Sequence, residues 1–168
     1  MQLDVRVHEL SLSQWDRLRD IRLRALERDP QAFGATLEIE SRYDDAKWRE
    51  MLRKADQLIA VVDGDDIGTM AIENLDGDFG ATCWIGGCWV DAAMRGQGVM
   101  RSFLEYIDDN AQERRWTRQG LGVWHDNFSA ITAYEHLGFE VIGKPTPSTR
   151  QPGKFYLKMV RDHEGANR

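Results

Sequence analysis

Val5 and Val7 alternate with charged neighbours, and this two-residue period predicts a short opening strand. The period then lengthens. Trp15, Leu18, Ile21 and Ala25 recur at helical spacing, and Asp29-Pro30 stops that helix. Ser11 and Ser13 offer N-caps, Ser13 with Asp16 three residues on. Residues 31–44 read as a loop or short helix rich in acids, with Glu38, Glu40, Asp44 and Asp45 in or beside it. A second helix over Asp45–Lys54 buries Trp48, Met51 and Leu52.

Short periods return at Leu58–Val62 and Ile67–Ile72, two strands joined by the hairpin signal Asp63-Gly64-Asp65-Asp66. After a turn at Asp76-Gly77-Asp78 comes a fourth strand, Thr82–Val90. Paired glycines, Gly86-Gly87, interrupt it and indicate a bulge or a close backbone approach. Met100, Leu104, Ile107 and Ala111 then mark one face of a helix, Leu121–Trp124 a fifth strand, and Ala130, Ala133, Tyr134 and Leu137 a further helix ended by Gly138. Phe139–Ile142 and Phe155–Val160 are the last strands. Lys144–Gly153, with three of the four prolines, reads as a surface loop between them, and the chain turns polar from Asp162.

No repeat or linker interrupts this pattern, and 168 residues suit a single domain. A chain of that length buries about 68–70% of its unfolded surface, enough for a core without staples. The net charge of −6 and the lack of a basic run argue against nucleic acid as the main partner. Cys83 and Cys88 stand about 16 Å apart if their segment is a strand, too far for a disulfide. Two buried free thiols fit a reducing cytoplasm, and no stretch reads as a signal peptide or membrane span.

Chemistry concentrates where the fourth strand ends. Trp89-Val90 is followed by Arg95-Gly96-Gln97-Gly98-Val99-Met100-Arg101 at the start of a helix. Such a junction turns free N–H groups and the positive end of a helix dipole toward one spot, which suits a phosphate-bearing ligand. It lacks the third glycine of a dinucleotide fingerprint and the Gly-Lys of a P-loop. A second cluster follows: the strand Leu121-Gly122-Val123, then Asn127, Ala130, Tyr134 and Gly138-Phe139.

Together and in this order, the two clusters resemble the GNAT superfamily of acetyl-coenzyme A-dependent N-acetyltransferases. The match includes Arg95 and the central Gly98, with Met100 in place of a small residue, and the seven-residue step from Asn127 to Tyr134. The resemblance implies a mixed α/β fold: a mostly antiparallel sheet of about seven strands, strands four and five splayed, and about four flanking helices. Residues 1–168 form a single GNAT domain on this reading.

It further implies that backbone groups of Trp89 and Val90 pair with the pantetheine arm of acetyl-coenzyme A. Arg95, Gly96, Gln97, Gly98, Val99, Met100 and Arg101 surround the pyrophosphate, Met100 turning its side chain toward the core. Asn127 orients the coenzyme or the helix start, and Tyr134 matches the general acid that protonates the departing thiolate. The acceptor is a primary amine of a small molecule, with a protein or peptide amine, or a non-catalytic acyl-coenzyme A sensor, as alternatives. No metal, nucleic acid or membrane enters the chemistry. Members often form homodimers, which leaves the oligomeric state open.

The two places where the family often puts a basic Glu hold Trp84 and Gly122. Glu38, Glu40, Glu73 and Asp126 are the remaining candidates for the base, while His125-Asp126 reads as an exposed loop pair and Trp84 and Trp124 as possible lining of an acceptor pocket. The stretch Leu23-Arg24-Ala25-Leu26, Asp29-Pro30, Ala32-Phe33-Gly34 and Thr36 is similar to many bacterial members and carries no assignment of its own.

Overall fold

A computed structural model describes residues 3–163. The described chain has seven strands in the order β1-β2-β3-β4-β5-β7-β6 and five α-helices, so the expected mixed α/β class is observed. The chain forms two compact units, one comprising residues up to Glu73 with Gly87–Tyr106, the other Asn74–Gly86 with Ile107 onward.

In the first unit, β1 (Arg6–Glu9), β2 (Asp56–Val62) and β3 (Asp65–Asn74) pair antiparallel in succession. Helix α1 (Trp15–Arg28) places Leu18, Ile21, Ala25 and Leu26 in a core with Trp48, Ile59 and Trp89. Each of its buried Leu and Ile side chains contributes about 1.5–3 kcal/mol by leaving water. The capping signal before α1 belongs to Ser11 rather than Ser13. Ser11 forms a capping box with Gln14 around a 3-10 turn, Leu12–Gln14, that runs into the helix. Residues 31–44 hold a one-turn helix, α2 (Leu37–Glu40), capped by Thr36. Then α3 (Asp45–Lys54) starts at Asp44, whose carboxylate accepts from the Lys47 N–H.

In the second unit, β5 (Arg118–Trp124) pairs antiparallel with β7 (Phe155–Asp162), which pairs antiparallel with β6 (Glu140–Pro147). Strand β6 outruns the expected Phe139–Ile142. A bulge between Ile142 and Thr146 lets it continue through Pro145 and Pro147. Proline has no N–H to donate, and β6 ends the strand order, where a missing donor costs no ladder bond. The surface loop is therefore shorter than Lys144–Gly153.

Strand β4 (Cys83–Val90) runs parallel to β5 from Cys83↔Gln119 to Ile85↔Leu121, three residue pairs only, although both strands continue. This is the splay expected at strands four and five. Cys83 is buried, and burial pushes its thiol up to about 12, which keeps it protonated. Cys88 departs from expectation. It is half-buried, with Sγ 3.3 Å from the sulfur of Met100.

Candidate active site

Helix α4 (Val99–Arg114) begins immediately after Gly98. Gly96 and Gly98 have φ of +74° and +88°, the left-handed region that side chains disfavour. A Cβ built on either meets no atom within 4 Å, so the space above the turn is open. Gly98 has no side chain with which to cap the helix, and the first N–H groups of any α-helix lack partners within it. Those donors and the positive end of the dipole lie next to the two glycines, the kind of helix start that can take a diphosphate.

Side chains around the turn point elsewhere. Val99 is buried, Gln97 donates through Nε2 to the Ala93 carbonyl at 3.0 Å, and Met100 packs its sulfur on Cys88. Arg101 is exposed on the first turn of α4. Arg95 folds back, its Nε donating to the Val90 carbonyl at 2.9 Å and its Nη2 to Asp29 Oδ2 at 2.7 Å. The same Asp29 oxygen accepts from the Trp89 indole N–H at 2.7 Å. That indole bond and then Arg95 hold the Asp29 carboxyl below the usual aspartate value. Trp89 and Val90 are buried on the strand that enters the turn.

Of the two readings of Gly86-Gly87, the close approach is observed, at Gly87. Gly87 has φ +57°, and a Cβ there would lie 2.8 Å from Arg22 Nη1. Arg22 is gripped by Glu40 through two bonds of 2.8 and 3.1 Å, and its guanidinium lies 5.2 Å from the centre of the Phe33 ring. Glu40 is only 4% exposed, so its lone pairs are committed to a cation rather than open to a substrate proton. Glu38 is exposed and pairs with Arg42, Glu73 is half-buried near the end of β3, and Asp126 is exposed.

In the second unit, Asn127 caps α5 (Phe128–His136), its Oδ1 accepting from the Ala130 N–H at 3.2 Å. Tyr134 is half-buried two residues before the helix ends, its ring edge-on to Phe139 at 5.7 Å. The carbonyl of Tyr134 accepts from both Leu137 and Phe139, which closes the helix at Gly138. Trp84 lies against Gly120, where any Cβ would collide with its ring, and Trp124 carries Lys154 at 5.0 Å. His125 places Nδ1 3.0 Å from the Phe155 carbonyl, the same oxygen that its backbone N–H reaches. The sequence pattern did not single out Asp29 as a partner of Arg95. Its neighbour Pro30 was the only local signal there.

Among the described residues, no group of three or more His, Cys, Asp or Glu is placed to hold a metal ion, and no helix is long and apolar enough to cross a membrane. The model of the acetyltransferase (GNAT) family matches residues 15–139, and the chain belongs to that family of acyltransferases.

Three solved structures share the fold. A ribosomal-protein-alanine N-acetyltransferase from Brucella melitensis is 20% identical, with a TM-score of 0.69 over 94% of this chain and 99% of that one. A GNAT-family acetyltransferase from Streptococcus pneumoniae is 16% identical, with a TM-score of 0.73 over 95% and 99%. A Salmonella typhimurium protein solved with its cofactor acetyl-coenzyme A is 17% identical, with a TM-score of 0.70 over 96% and 95%. No curated protein matches the chain at a significant level.

Proposed function

We propose that the chain, with residues 1–168 acting as one domain, transfers an acetyl group from acetyl-coenzyme A to a primary amine of a small molecule. The observation that carries this reading is the open turn, with two positive-φ glycines directly before the start of α4. On this reading the backbone N–H groups of residues 96–101 hold the diphosphate. Trp89 and Val90 line the pantetheine arm, and Asn127 fixes the start of α5.

The amine nitrogen attacks the thioester carbonyl carbon, the C–S bond breaks, and Tyr134 gives its phenolic proton to the departing sulfur. A phenol with a pKa of about 10 suits that transfer to a thiolate. The amine's own proton leaves to solvent or to an exposed carboxylate, because Trp84 and Gly122 occupy the usual base positions and Glu40 is bound to Arg22. An acceptor that arrives neutral avoids the problem, which favours amines of low pKa.

The experiment is calorimetry with coenzyme A followed by an amine panel that includes a peptide with N-terminal alanine, chosen because the Brucella structure is that of a ribosomal-protein-alanine N-acetyltransferase. Binding with turnover of small amines supports the proposal. Turnover of the peptide alone replaces the acceptor class, and binding without any turnover indicates a sensor. Tyr134→Phe is expected to lower turnover about a hundredfold with near-normal coenzyme affinity. An unchanged rate removes Tyr134 from the mechanism.

A further inference from the structure

We propose that Asp29 is a positioning residue for the diphosphate turn, acting through Arg95 and Trp89. The proposal rests on the coenzyme reading above. It gives Asp29 a role beyond ending α1.

Asp29 closes α1, its N–H bonded to the Ala25 carbonyl at 2.9 Å, so its backbone is fixed by the helix behind it. Its Oδ2 takes the Trp89 indole at 2.7 Å and the Arg95 guanidinium at 2.7 Å. Arg95 completes a ring by donating to Val90 at 2.9 Å. The preceding residue repeats the device. Arg28 donates to Asp91 at 2.7 Å, and Asp91 in turn accepts from the Ala93 N–H at 3.3 Å. Trp89, Val90, Asp91 and Arg95, which lead the chain into the turn, are thus all fastened to the end of α1.

Two consequences follow. Arg95, the residue a motif reading would aim at the phosphates, has its Nε and Nη2 engaged elsewhere and serves as a strut. The turn itself contains two glycines, the residue type that loses most freedom when ordered. A clamp on its entry removes part of that loss before the ligand arrives, which is preorganisation. Holding the diphosphate then falls to backbone N–H groups and to Arg101, the exposed cation on the first turn of α4.

The test compares two ligands that share the pantetheine arm: coenzyme A, which carries the diphosphate, and S-acetylpantetheine, which lacks it. Wild type, Asp29→Asn and Arg95→Lys are titrated with coenzyme A by calorimetry and with S-acetylpantetheine by ligand-observed NMR. The expected result is coenzyme A affinity lowered about tenfold in both variants, with S-acetylpantetheine affinity, which also depends on Trp89 and Val90, lowered clearly less. Arg95→Lys carries the test if Asp29→Asn does not fold.

Loss of affinity for both ligands alike assigns Asp29 to general stability and overturns the proposal. Unchanged coenzyme A affinity also overturns it. Tighter binding by Asp29→Asn overturns it too, by making Arg95 a phosphate ligand that Asp29 holds back. Wild-type protein that releases no heat with coenzyme A overturns the coenzyme reading itself, and this proposal with it.

Discussion

The junction from β4 into α4, residues 91–98, and the shorter junction from β5 into α5, residues 125–127, each carry a strand into a helix, and they solve the helix-start problem in opposite ways. Asn127 satisfies one of the orphan N–H groups of α5 with its own side chain, three residues along. Gly98 offers α4 no side chain at all, and that junction is steadied from a distance by Arg28 and Asp29. A locally capped helix has filled part of its anion-binding end. A helix whose entry is braced remotely keeps that end open. On the proposed reading, the difference separates a turn that receives the diphosphate from one that completes a helix.

The largest effect should come from the far end of α5. Arg161 donates to Asp108 through two bonds of 2.8 and 2.9 Å, to Gln119 at 2.9 Å and to the Leu137 carbonyl at 3.0 Å, the last at the helix's C-cap. Asp108→Ala leaves a buried guanidinium without its carboxylate, which costs about 3–5 kcal/mol. The urea midpoint should fall accordingly, and Asp108→Asn, which keeps a hydrogen bond, should fall less. If the midpoint does not move, the α5 junction does not depend on this pair.

Substituting Gly98 gives the next largest effect. Gly98→Val places a β-branched residue at φ +88°, a strain of about 1–2 kcal/mol, with no atom near enough to add a clash. Coenzyme A affinity should drop at least tenfold. Gly98→Asn is the milder variant, because asparagine enters the left-handed region at less cost than valine. It should move the unfolding midpoint less than Gly98→Val while still lowering coenzyme A affinity. If coenzyme A affinity stays at the wild-type value in both variants, the glycine turn has no role in binding.

Asn127→Ala should cost about 1 kcal/mol of stability, the usual worth of an N-cap. Asn127→Gly should cost a few tenths of that. If Asn127 only caps, coenzyme A affinity follows stability in this pair; if it also touches the coenzyme, both variants lose affinity equally. Fluorescence-monitored urea titration with parallel calorimetry separates the two outcomes.

Local rules explain what could be read beforehand. The turn at 95–101 and the step from Asn127 to Tyr134 are short-range patterns, and the order of strands and helices follows from hydrophobic period. The brace was hidden because Asp29 meets Trp89 and Arg95 at separations of 60 and 66 residues. No periodicity reports such a contact. Strand β6 was cut short because Pro145 and Pro147 look like breakers until the strand is known to end the sheet. In sequence Glu40 reads as a free acid because Arg22, which holds it, lies 18 positions earlier.

The smallest effect is a pH signature of the brace. The Asp29 carboxyl titrates below its ordinary 3.8 because the Trp89 indole and Arg95 favour its charged form. A lowered folded-state pKa contributes stability that is fully present above the unfolded value and is lost as pH falls through the folded one. The difference in urea midpoint between wild type and Asp29→Asn should therefore be constant from about pH 5 upward and shrink below about pH 4. Partial exposure and salt keep that difference small. A difference that instead grows on acidification would mean that the carboxylate is not stabilised by Trp89 and Arg95, and the contrast between a remotely braced and a locally capped helix start would lose its electrostatic basis.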